Sequence, residues 1–75
     1  MKRFEDRDRR LWDVIAGRES WGANYALFVP ARGTADEVRQ TLLRSASFED
    51  AVTEIDSLDE DGLQQLLDNS TIKER

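Results

Sequence analysis

The spacing of apolar side chains changes partway along this chain of 75 residues, from short β-branched and aromatic runs to sets recurring every three or four positions. A strand repeats its faces every two residues and a helix every 3.6, so the change divides the chain into a β-rich front and a helical back. Residues 10–16 (Arg-Leu-Trp-Asp-Val-Ile-Ala) and 24–30 (Asn-Tyr-Ala-Leu-Phe-Val-Pro) read as strands bounded by turn formers. Residues 2–5 can pair back across the charged turn Asp6-Arg7-Asp8-Arg9, and Gly22 can supply a positive φ in the loop that follows the second strand. Pro30 suits a strand end, where its missing N–H costs no ladder bond. A single helix over 4–16 would align Phe4, Leu11 and Ile15 but strand Trp12 and Val14 off the stripe, so the strand reading is preferred.

Residues 34–43 admit two readings. Thr34-Ala35-Asp36-Glu37 is a capping-box pattern with Val38 and Leu42 four apart, which favours a helix. The turn formers Arg32-Gly33 followed by Val-Arg-Gln-Thr-Leu-Leu favour a fourth strand over 37–43, and that reading is adopted. Beyond it, Ser47 precedes Phe48-Glu49-Asp50 and an apolar set Phe48, Ala51, Val52, Ile55, which predicts a helix over 48–56. Ser57-Leu58-Asp59-Glu60 repeats the device ahead of Leu63, Leu66 and Leu67, which predicts a second helix over 58–68. Helices this short are not stable alone in water and must dock on the sheet. The expected fold is therefore α+β: an antiparallel meander of three or four strands (2–5, 10–16, 24–30 and 37–43), followed by two short helices packed on one sheet face. The whole of 1–75 reads as one domain, with 70–75 a frayed tail.

The chain has neither His nor Cys. That removes the commonest zinc ligands, imidazole-paired nucleophiles and proton shuttles of a small catalytic domain, and no cofactor is implied. It also removes disulfide and Cys/His metal staples, so stability must come from packing, capping or burial against a second chain. The mixed-charge start is not that of a signal peptide, and no apolar run approaches the roughly 18 residues of a membrane span, so a cytoplasmic protein is expected. The net charge of −5 hides an uneven spread. Residues 1–39 carry eight basic and seven acidic groups, whereas residues 40–75 carry three and nine. The second half is an acidic body, read as the wet faces of helices.

An aromatic residue, a polar turn and an Arg-x-Trp-x-Val strand open the chain (Phe4, Asp6, Arg10, Trp12, Val14). A Ser-Leu-Asp-Glu start to a Leu-rich helix closes it (Ser57 to Glu60, then Leu63, Leu66, Leu67). This combination resembles a group of short bacterial proteins. The resemblance implies a small α+β fold, carries no established activity and transfers no functional residue.

Three function classes compete on the residues. The Asp59-Glu60-Asp61 cluster could in principle serve a carboxylate or divalent-metal hydrolase, but adjacent helical residues fan out by about 100° each and sit where first-turn acids serve the helix dipole. A calcium loop is rejected, because the twelfth position counted from Asp59 is Ser70 and not Glu. The Arg-rich opening with Trp12 and Trp21 could touch nucleic acid, yet Glu5, Asp6, Asp8 and Asp13 interleave with its cations and cancel the potential. The third class rests on strands that look apolar on both sides. Trp12, Val14 and Ala16 point one way and Leu11 and Ile15 the other; Tyr25, Leu27 and Val29 oppose Ala26 and Phe28. Two short helices cover one face, which leaves the other for self-association or an unidentified protein partner. The expected partner-binding residues are Leu11, Ile15 and Phe28, with Trp21 at the rim. A non-enzymatic interaction or accessory module is the preferred function, with no small-molecule ligand implied.

Overall fold

A computed structural model describes residues 2–19, 22–33 and 37–73. The chain forms strands β1 (Lys2–Glu5), β2 (Leu11–Arg18), β3 (Asn24–Pro30) and β4 (Arg39–Leu43), helices α1 (Phe48–Ser57) and α2 (Glu60–Asp68), and a last strand β5 (Thr71–Ile72). All neighbours pair antiparallel in the sheet order β1-β2-β3-β4-β5. This is the α+β arrangement expected, with both helices packed on one face of an antiparallel sheet.

Two turns of the same design hold the meander. In each, the first residue donates to the carbonyl four positions on and accepts from the N–H three positions on: Asp6 with Arg10 and Arg9, and Glu19 with Ala23 and Gly22. The fourth position must take a positive φ, as in a type I turn closed by a left-handed residue. Gly22 does so at +95° at no side-chain cost, whereas Arg9 does so at +66° against its own Cβ. The Asp6 side chain compensates the second case by accepting from the Asp8 and Arg10 amides, each at 2.9 Å.

β2 and β3 register Trp12 with Pro30, Val14 with Phe28 and Ala16 with Ala26, and β1 adds Phe4 beside Trp12. These residues share one face, and α1 and α2 close it with Ala51, Ile55, Leu63 and Leu67. Phe28 lies at the centre, fully buried, with Phe4 and Trp12 meeting it edge-on at 6.5 and 6.3 Å between ring centroids. Such pairs add about 0.5–1.5 kcal/mol beyond the area they bury.

The helices start on side-chain caps. Ser47 accepts from the Asp50 amide, and Asp59 accepts from the Gly62 amide at 2.8 Å. α2 thus begins at Glu60, two residues later than expected from Ser57, which instead ends α1 with its hydroxyl bonded to the Glu54 carbonyl. Neither α1 nor α2 has a base in its last turn; for α1, β1 supplies one, as Lys2 donates its ammonium to the carbonyls of Asp56 and Leu58.

The C-terminal segment corrects one expectation. Of the tail expected over 70–75, residues 70–73 are not frayed: Thr71 and Ile72 pair with Gln40 and Arg39, and the Lys73 amide donates to the Val38 carbonyl at 2.8 Å, while 74 and 75 lie outside the described residues. Ser70 is buried and held by Arg39, whose guanidinium bonds both its hydroxyl and its carbonyl at 2.8 Å. Residues 39–43 form the strand that was preferred over a helix, while the Thr34 to Asp36 part of the capping-box pattern lies outside the described residues.

Candidate functional site

The sheet face turned away from the helices is built by strand alternation alone. It carries Arg3 and Glu5 from β1, Leu11, Asp13, Ile15 and Gly17 from β2, Tyr25, Leu27 and Val29 from β3, and Gln40 and Leu42 from β4. The register arranges them in rows across the strands. Arg3, Asp13 and Val29 form one; Ile15, Leu27, Gln40 and Thr71 form the next; Gly17, Tyr25 and Leu42 form a third. Neighbouring strands shield one another only laterally, so Ile15, Leu27 and Val29 remain half-buried, and Leu11 and Leu42 stay 37% and 58% exposed. No described helix or loop contributes a core contact on this side.

Gly17 shapes the middle of the face. A Cβ there would lie 2.7 Å from Leu27 Cδ1, so the absence of a side chain lets Leu27 lie down over β2. Gln40, between Leu27 and Thr71, has a buried side-chain oxygen with no hydrogen-bond partner among the described residues. At the β1 side the face ends in charge: Arg3 Nε donates to Asp13 at 3.0 Å, and this bond, together with the carboxylate's charge, raises the Arg3 pKa.

Among the expected partner-binding residues, Leu11 and Ile15 lie on this open face, separated by Asp13 on the same strand. Phe28 does not. Its parity in β3 is that of Asn24, Ala26 and Pro30, all buried, and the helices take that side. Trp21 lies outside the described residues. The residues missing from the expected set are Leu27, Val29, Tyr25 and Leu42. Alternation had already grouped three of them on one parity; the missing fact was which parity the helices would choose. Side-chain volume carries that signal, because Phe4, Trp12, Phe28 and Pro30 share a face and offer the deeper apolar layer.

The residues behind the other two function classes are partly engaged within the chain. Asp59 caps α2 while Glu60 and Asp61 stand exposed in its first turn, and the described residues contain no group of three or more Asp or Glu able to hold a metal ion. Of the Arg-rich opening, Arg3 pairs with Asp13, Arg7 with Asp68 at 2.9 Å, and Arg10 with Glu37.

An open cleft of about 560 Å³ separates the first turn from α2 and β5. Asp6 lies on its wall and is committed to structure: Oδ2 accepts from the Trp12 indole N–H at 2.9 Å, with Arg10 stacked 4.8 Å above the same ring. Partial burial pushes the Asp6 pKa up, but the Trp12 bond, the Arg10 and Asp8 amides and the Arg10 charge outweigh it and hold the group below its ordinary value. Among the described residues lining the cleft, Arg7 and Arg10 are paired with the carboxylates of Asp68 and Glu37, and Arg39 bonds the hydroxyl and carbonyl of Ser70.

No family model, curated protein or solved structure matches this chain.

Proposed function

We propose that this protein is a non-enzymatic interaction module that docks an amphipathic helix of a partner protein on its open sheet face. The observation that carries the reading is the pair of sheet faces itself. One carries the core residues of β1–β4 and is satisfied by two helices of ten and nine residues with apolar stripes. The other carries an apolar patch, with Ile15, Leu27 and Val29 at its centre and Leu11, Tyr25 and Leu42 around them, interrupted by Asp13 and Gln40 and bordered at β1 by Arg3 and Glu5. A helix of similar length laid across the strands buries this surface as α1 and α2 bury its opposite.

Magnitude sets the kind of binding. Four strand gaps of about 4.8 Å and strands of roughly 7–27 Å, about 18 Å on average, give a face of about 350 Å². An interface burying that much on each partner totals about 700 Å², below the size of stable specific complexes, so the association is transient. Arg3, Asp13 and Glu5 leave the rim almost neutral, which makes apolar contact the source of affinity.

A photo-crosslinking residue placed in turn at Leu42, Ile15 and Glu49 in producing cells tests the reading. Adducts with one protein from positions 42 and 15, lost when Leu27→Lys is added, are the expected result. Adducts only from position 49 on the outer surface of α1, or none from the open face, would overturn it.

A further inference from the structure

The exposed edge of the sheet at β1 reads Lys2-Arg3-Phe4-Glu5-Asp6. Its charges invert about Phe4: two cations precede it and two anions follow. An antiparallel copy centred on the same residue meets the opposite sign at every step, whereas a parallel copy in register meets its own.

The backbone agrees with that centre. The Asp6 amide donates to the Arg10 carbonyl, which fixes 6 and 10 as a hydrogen-bonded pair of the β1–β2 ladder. Hydrogen-bonded and non-bonded pairs alternate in an antiparallel ladder, so Phe4 with Trp12 and Lys2 with Val14 also bond, and Arg3 and Glu5 turn their N–H and C=O groups outward. An added strand must therefore use residues 3 and 5. With Phe4 opposite Phe4, Arg3 falls opposite Glu5, and both are outward-facing positions. Phase and charge pick the same register independently.

We propose that a second copy of this chain pairs antiparallel with β1 about Phe4, setting Arg3 opposite Glu5 of the partner subunit and continuing the sheet across both subunits. Each of the two symmetry-related Arg3–Glu5 pairs exchanges two main-chain hydrogen bonds, and both side chains lie on the open face. Arg3 then stands between Asp13 of its own chain and Glu5 of the partner subunit, with 61% of its side chain currently exposed and free to reach across. Lys2 and Asp6 fall opposite each other as well, but each is already committed, to the α1–α2 junction and to the first turn. Glu60 and Asp61 border the same edge beside Phe4 and Glu5, and their approach to the copies of themselves across the axis opposes pairing. The short strands and this repulsion make the dimer weak. The inference is independent of what docks on the open face; it sets two such faces side by side.

Charge reversal tests the register. Glu5→Arg puts Arg opposite Arg in its own dimer, and Arg3→Glu puts Glu opposite Glu, so each variant alone becomes monomeric. Mixed together, the two variants restore both ion pairs and form a heterodimer. Sedimentation velocity from about 10 µM to about 1 mM should show a wild-type dimer at the upper end, two monomeric variants of unchanged circular dichroism, and a dimer only in their mixture. Amide exchange in the wild type should slow with concentration at Arg3 and Glu5 and not at Lys2 or Phe4. A wild type monomeric throughout, or a dimer indifferent to the reversals, would overturn the proposal. The second result would leave association through the open face as the source of the dimer.

Discussion

The two faces of the sheet share strands and alternation and both carry apolar side chains at their centres, yet one is a core and the other a surface. Val14, Ala26 and Phe28 have no exposure, while their direct neighbours Ile15, Leu27 and Val29 keep contact with solvent. The difference lies in what is opposite: Ala51, Ile55, Leu63 and Leu67 on one side and no described element on the other. Burial here is a property of layers, and a strand residue gains only part of it from lateral neighbours.

That contrast is broken most directly by cutting the same kind of side chain from each face. Phe28→Ala should cost about 3–5 kcal/mol, a large part of the roughly 4–11 kcal/mol a chain this size commands. Urea unfolding should find its midpoint lowered by about a quarter or more. Leu27→Ala, one residue away, should cost only about 1 kcal/mol, because its removed atoms were half in water already. Equal losses at the two positions would mean that the open face is covered in solution.

The next effect concerns the polar anchor of the covered face. Asp6→Ala leaves the Trp12 indole N–H unpaired at a residue only 3% exposed and should cost about 2 kcal/mol. The sign of its pH dependence follows from a folded-state pKa below the unfolded one. The unfolded chain binds the proton more readily, so the stabilisation is present above the ordinary carboxylate value and is lost as pH falls through the folded one. Wild type and Asp6→Asn should differ in the slope of stability against pH only in the acid range, and a difference in slope persisting at neutral pH would reject the assignment.

Smaller effects sharpen the comparison. Arg9→Gly relieves a left-handed backbone and should stabilise by about 1 kcal/mol, read as a higher urea midpoint with unchanged slope. Gly17→Ala sets a Cβ 2.7 Å from Leu27 Cδ1 and 3.0 Å from its Cγ, so the half-buried Leu27 must change rotamer, at a cost of about 1 kcal/mol or less. If a partner docks there, the same substitution should weaken docking more than folding, because it moves Leu27 at the centre of the open face.

Much of this architecture is legible in the residues. β1 and β3 run over the expected 2–5 and 24–30, Gly22 takes its positive φ, and the acidic first turns of both helices are in place. What escaped has physical reasons. β5 is two residues long and too short to show a period; it exists because Arg39 grips Ser70 and draws the chain back to the sheet. The cap of α2 was expected at Ser57 and lies at Asp59, because Ser57 finishes the preceding helix with its hydroxyl on the Glu54 carbonyl. Phe28 lies off the expected face because alternation fixes the two faces of each strand but not the register between strands: Phe28 pairs with Val14, which puts it on the side opposite Leu11 and Ile15.

The Lys2 ammonium closes on the elbow between the two helices across 54 and 56 positions of sequence. A contact of such separation adds to the average loop length that must be closed during folding, and slow folding follows from it. The β1–β2 and β2–β3 hairpins can each assemble through a tight local turn, so only the Lys2 clamp, and not the strand that carries it, waits for the elbow to dock.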